Sequence, residues 1–161
     1  MSTFRRGALW AAPFWLCAAA MPSAARADTD ACTILTPAQV GAAVGVAVSH
    51  GEHVTPTFVK TCTWTATGGS KVKYVTLYLQ TAAAYDGGKG MASQMAAAGR
   101  HAAVKSASVG DDGYYFVVGD QVGLLVKKGS VSFKVAVYAR LPVATKEAME
   151  LALAKEALAK L

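Results

Sequence analysis

Histidine and cysteine are scarce in this chain, three of each among 161 residues. A closed zinc site draws about four such ligands from short, regular spacings. The one cluster that begins to qualify, His50-Gly51-Glu52-His53, has no further histidine nearer than His101. It reads as a polar loop, with a small exported metal-dependent hydrolase as the alternative. Other catalytic signatures are missing. No Gly-x-Ser-x-Gly elbow is present to expose a nucleophilic serine. The glycine-rich stretches Thr67–Lys71 and Gly87–Gly90 lack the spacing and the following Lys-Ser or Lys-Thr of a phosphate loop. Asp111-Asp112 supplies a pair of carboxylates, against the roughly six to eight oxygens that calcium takes; beside glycines they read as a turn. The residue inventory implies no cofactor, no bound metal and no assignable catalytic residue.

What is present begins with an export signal. Arg5 and Arg6 form a positive start, and the following stretch from Gly7 to Ala25 carries no charge. Leu9, Trp10, Phe14, Trp15 and Leu16 are its apolar heart, and Ala25-Arg26-Ala27 places small residues where a signal peptidase cuts. Residues 1–27 are expected to be a signal peptide and residues 28–161 one domain. An uncleaved anchor is the alternative, but a spanning helix wants about 20 apolar residues and Pro13 interrupts this run. Leu16 before Cys17 does not suit lipidation, and Arg5-Arg6 leaves a twin-arginine address open beside the general route. Arg5, Arg6 and Arg26 leave with the signal, so the 16 basic residues fall to 13 against 10 acidic, a net of +3. That is a mildly basic surface and no nucleic-acid footprint. A periplasmic or secreted location follows, with no transmembrane anchor after processing.

Cysteine usage agrees. Cys17 leaves with the signal, and within one chain Cys32 and Cys62 can pair only with each other. An oxidising compartment makes that bond stable. The alternative is two free thiols or half of a metal site, for which no companion Cys or His stands at ligand spacing.

The periodicity of the remainder predicts an α+β fold, a mainly antiparallel sheet packed with helices in the order helix–strands–helix–strands–helix. Thr36-Pro37-Ala38-Gln39 is a capping box with proline at the first helical position; Leu35 and Val40 form a staple, and Gly45 is the stop. Cys62, Trp64 and Ala66 alternate with Thr63, Thr65 and Thr67, then Val72 to Gln80 returns as a strand after the Gly68-Gly69 turn. Tyr85 to Arg100 is expected to be a weaker helix whose glycine-crowded start frays, with Met91 and Met95 as core filler or as an adaptable lid. Val109 to Gly113 reads as a turn. Strands Tyr114–Val118, Val122–Lys127 and Val131–Tyr138 follow, joined by the Gly119-Asp120 and Lys128-Gly129 turns. Thr145 is expected to cap a terminal helix with Leu151, Ala154, Leu158 and Leu161 inward, a Glu156–Lys160 surface pair, and Met149 and Leu153 on an outer face. Short hairpin links imply an antiparallel sheet with helices on at least one face.

Cys32-Thr33-Ile34-Leu35-Thr36 with Cys62-Thr63-Trp64 resembles a set of uncharacterised exported bacterial proteins and lipoproteins. These open with Cys-x-Leu-Leu-Thr and pair that cysteine with a Cys-x-Trp strand. Val109-Gly110-Asp111-Asp112, Tyr114-Tyr115 and Lys128-Gly129 are similar to their second half. The resemblance implies the disulfide and a PsbP-like or LpqN-type sandwich, and it brings no activity and no catalytic residues.

With the aliphatic positions inward, Tyr74, Tyr78, Lys134, Tyr138 and Arg140 fall outward beside Thr63, Thr65 and Thr76. Phenol rings beside cations can stack on and hydrogen-bond a ligand. The same pattern also suits an ordinary solvated sheet face. The function expected is a non-enzymatic binding or interaction module of the cell envelope, its partner an unknown small ligand or envelope protein. The other alternative is a structural subunit of an envelope complex, docked through the Met149 and Leu153 side of the last helix.

Overall fold

The structure is a computed structural model that describes residues 29–161; the expected signal peptide, with Cys17 and its cleavage site, lies outside the described residues. A single 3-10 turn, Ala31–Thr33, precedes helix α1, Pro37–Val44. Thr36 Oγ1 accepts from the Gln39 backbone N–H at 3.2 Å, and the Gln39 side chain accepts from the Thr36 N–H at 3.0 Å. Gly45 ends the helix at φ 71°, a left-handed conformation that favours glycine. Strands β1, Glu52–His53, β2, Thr61–Thr65, and β3, Val72–Thr81, follow. Helix α2, Ala82–Ala97, leads to β4, Ala102–Ser106, β5, Asp112–Val118, β6, Gln121–Lys128, and β7, Val131–Ala139; helix α3, Val143–Leu158, closes the fold.

Among the described residues the seven strands form one antiparallel sheet in the order β1-β2-β3-β7-β6-β5-β4. Two meanders, β1 to β3 and β4 to β7, meet where β3 lies along β7 from Val72↔Ala139 to Thr81↔Val131. The class is therefore α+β, as the hairpin links imply. Helices cover both faces. Tyr114 and Tyr115 are successive strand residues and point to opposite sides. The Tyr115 hydroxyl donates to the Glu147 carbonyl of α3 at 3.0 Å, whereas Tyr114 meets Tyr85 of α2 edge-on at 5.3 Å. The α3 side carries the main core: Trp64, Val75, Leu77, Leu124, Phe133, Val135 and Val137, closed by Val40, Val44 and Leu153. The α2 side is a smaller cluster of Tyr85, Ala92 and Tyr114 with Val104, Phe116 and Leu125.

Cys32 and Cys62 are joined, with Cα atoms 5.0 Å apart across a separation of 30 residues. The bond ties the segment before α1 to β2. Among the described residues no helix is long and apolar enough to cross a membrane.

Several local expectations change. Helix α2 begins at Ala82, so Gly87, Gly88 and Gly90 are inside it rather than frayed ahead of it. Thr81 caps it by accepting from the Ala84 N–H, and Tyr85 buried on the sheet anchors the first turn. Met91 is 66% exposed, so it is not core filler; Ala92 is the inward residue beside it. Asp112 and Gly113 belong to β5 rather than to a turn, and β4 was not anticipated. Helix α3 starts at Val143 after Pro142 and has no side-chain cap, so Thr145 lies within its first turn. Its inward stripe is Lys146, Glu150, Leu153, Ala154 and Ala157, while Leu151 and Leu158 are only half-buried. Leu153 has no exposed surface and Met149 packs against the core, which removes the proposed outer docking face. The helix is turned because two charged residues take core-facing positions that a hydropathy count assigns to solvent. Glu156 accepts from the Gln39 amide at 2.7 Å, joining α3 to α1.

Candidate functional site

Helix α2 packs over β4 to β6 and touches β3 and β7 only in part, leaving the Tyr74–Tyr138 region of its face without a helix. There the pleat carries Thr61, Thr63 and Thr65 on β2, Tyr74, Thr76 and Tyr78 on β3, and Lys134, Ala136 and Tyr138 on β7. Tyr74 and Tyr138 are cross-strand partners and stack at 4.3 Å between centroids, an arrangement that stiffens both rings. Tyr78 stands opposite Lys134, is 37% exposed and stacks on Phe58 at 6.2 Å. Arg140 is exposed one residue beyond β7, where its backbone N–H donates to the Lys71 carbonyl. The fold thus gathers Tyr74, Tyr78, Lys134 and Tyr138 on one surface and sets Arg140 at its margin.

Two clefts flank this surface. One, of about 440 Å³, lies at the end of the sheet between Lys60, Tyr78, Gln80, Thr81 and Ser130. The other, of about 300 Å³, is lined by Phe116, Val118, Gln121, Gly123, Lys134 and Tyr138. Its shape follows from the strand register. The β6–β7 ladder ends at Leu124↔Val135, while β5–β6 pairing continues to Val118↔Gln121. The strands part there, and Gly123 leaves room for Lys134 to cross: a Cβ at that position would meet Lys134 Cε at 2.6 Å. Burial, then the charges of Tyr74 and Glu150, raises the Tyr138 phenol above its usual range, so it remains a hydroxyl donor at neutral pH.

Searches of the chain against protein-family models, curated proteins and solved structures find no match. The chemistry of the surface is therefore the basis for its assignment.

Behind the parting of β6 and β7 is a group the sequence reading missed. Val137 lies past the last β6 partner, so its N–H has no ladder acceptor on that side; Glu150 Oε1 accepts it at 2.9 Å. Glu150 has no exposed surface, and its Oε2 has no hydrogen-bond partner among the described residues. Burial pushes its pKa up to about 7, against the lowering effects of the Val137 N–H and the Lys134 and Lys146 charges. One turn earlier Lys146, equally buried, donates to the Asp120 carbonyl in the β5–β6 turn. The i, i+4 spacing of Lys146 and Glu150 was the available signal, since it places both on one helix face.

The histidine cluster is divided by the fold. Glu52 is exposed on β1, and His53, its neighbour on the opposite face of the pleat, turns to Asp30, its Nε2 2.7 Å from Asp30 Oδ1. That contact, opposed by burial and helped by the Cys32 N–H, lowers the Asp30 carboxyl below its usual range. His50 and His101 are exposed and not part of this group. Of the acidic pair, Asp111 accepts from the Gly129 N–H at 2.7 Å and Asp112 pairs with Lys89 at 2.6 Å, so both serve turn and helix–strand contacts.

Proposed function

We propose that this chain is an exported cell-envelope protein, kin to the exported lipoprotein-like set its cysteine motifs resemble, and that it binds a small ligand non-enzymatically in the cleft between Lys134 and Tyr138. The observation that carries the reading is the composition of that cleft. Phe116, Val118 and Gly123 offer apolar and backbone surface, while one cation and one phenol hydroxyl stand together at its wall. Such a set suits a small amphipathic anion: a carboxylate or phosphate ester on a planar or apolar body. The stacked Tyr74–Tyr138 pair holds the hydroxyl in place, which lowers the entropic cost of binding. The disulfide and the leader with its Ala25-Arg26-Ala27 site support export.

The test uses an aromatic carboxylate as probe and follows amide shifts of the purified protein by NMR. Titration is expected to move Phe116, Gly123, Lys134 and Tyr138 together. Lys134→Met is expected to weaken binding about ten-fold, and Tyr138→Phe to weaken it while keeping the melting temperature within a few degrees. Shifts confined to other surfaces, or equal affinity in Lys134→Met, would refute the assignment. Export is checked by the mass of the secreted product, which should begin at Asp28.

A further inference from the structure

A second cluster, on the far edge of the sheet, has the donors of a metal site. Cys32 Sγ, a His53 ring nitrogen and an Asp30 carboxylate oxygen lie within 4.8 Å of one another. Cys62 Sγ is bonded to Cys32 Sγ, and Cys62 is the register partner of His53 across β1 and β2. Asp30, Cys32 and His53 thus converge from the Ala31–Thr33 turn and β1, and the bond to Cys32 brings the Cys62 sulfur of β2 beside them, although their spacing in the sequence is irregular. Tetrahedral zinc takes this kind of set, and thiolates favour zinc and Cu(I) over harder ions. In the disulfide the sulfurs carry no thiolate charge and the set is incomplete.

Trp64 is fully buried, and its Nε1–H has no hydrogen-bond acceptor among the described residues. Gly51 leaves room for both groups: the point where its Cβ would stand is 2.5 Å from Cys62 Sγ and 2.8 Å from Trp64 Nε1. A buried donor without an acceptor carries an energetic cost. A thiolate at Cys62 accepts an N–H far better than a disulfide sulfur does, and an N–H donated to a metal thiolate orients and stabilises it. The Asp30 contact already orients the His53 ring.

We infer that the Cys32–Cys62 disulfide masks a metal site, and that its reduction lets Cys32, Cys62, His53 and Asp30 bind one thiophilic ion such as Zn²⁺. The chemistry balances with a dithiol reductant. The reductant passes two electrons and two protons to the S–S bond and becomes a disulfide; the bond breaks and Cys32 and Cys62 become thiols. A divalent ion then displaces both thiol protons to solvent and forms two metal–sulfur bonds, while His53 gives a neutral nitrogen lone pair and Asp30 a carboxylate oxygen. The site is independent of the cleft at Lys134, and neither reading depends on the other.

The test titrates Co²⁺, then Zn²⁺, into the purified protein before and after reduction by a phosphine. Reduced protein is expected to develop a thiolate-to-cobalt charge-transfer band that saturates at one ion per chain and disappears when Zn²⁺ is added. Oxidised protein is expected to show no band. His53→Ala is expected to weaken the reduced site at least about ten-fold. If the reduced chain loses structure, Zn²⁺ is expected to restore it and raise its melting temperature. A reduced chain that binds no Co²⁺, that binds equally well as His53→Ala, or that Zn²⁺ does not refold overturns the inference.

Discussion

Replacing Glu150 by glutamine tests the account of the parted strands directly. In the folded protein Glu150 is buried with one oxygen on the Val137 N–H and the other unpartnered. Its pKa stands at about 7 against an ordinary value of 4.5. Between those values the folded chain keeps a proton that the unfolded chain has released. Stability therefore falls as pH rises through this window, by ~3 kcal/mol in total, and levels off above it. The charged and titratable groups that act on it are Lys134 and Tyr138 of β7, from across the sheet, and Lys146 and Glu147 of α3, on its own side. Asp30 and Asp112, whose carboxyls are lowered, act on the acid side of the window, where their stabilisation is lost as pH falls. Glutamine keeps an oxygen for the Val137 N–H and carries no charge. Urea denaturation at pH 5 and at pH 8 should show the native chain losing ~2.5 kcal/mol, or roughly 10 °C in melting temperature, more than Glu150→Gln across that interval. Parallel pH profiles for the two proteins would refute the buried, proton-holding Glu150.

Two glycine substitutions should act in opposite directions. Gly51→Ala drives a methyl group toward Cys62 Sγ and Trp64 Nε1 and is expected to cost ~1–3 kcal/mol. Gly87→Ala meets open space inside α2 and is expected to stabilise by ~0.5–1 kcal/mol; both are read from urea midpoints. Leu153→Ala should destabilise by ~2–5 kcal/mol, since the side chain is wholly enclosed between α3 and the sheet. A shift of only a few tenths there would place Leu153 back on an outer surface.

Much of this protein follows from neighbours in the chain. The Thr36–Gln39 box, Pro37 and Gly45 settle α1, because each acts on backbone groups within one turn. The alternation Val75, Leu77, Leu79 against Tyr74, Thr76, Tyr78 settles which face of β3 is inward, because a pleat has a period of two. With Cys17 assigned to the leader, Cys32 and Cys62 had one another as sole partners, and the fold joins them. Only the tertiary structure decided the rest. The roll of α3 follows from where Lys146 and Glu150 find polar backbone to satisfy, the Asp120 carbonyl in the β5–β6 turn and the Val137 N–H beyond the last β6–β7 pair, and neither is in place until the strands have paired. Strand β4 forms because β5 offers it an open edge, although Ala102-Ala103 carries little strand preference of its own. Asp30, Cys32 and His53 meet, with Cys62 bonded to Cys32, because three separate elements are hydrogen-bonded and disulfide-linked at one sheet edge. Local chemistry is written in adjacent residues, whereas a site built from distant residues exists only once the long-range pairing has brought them together.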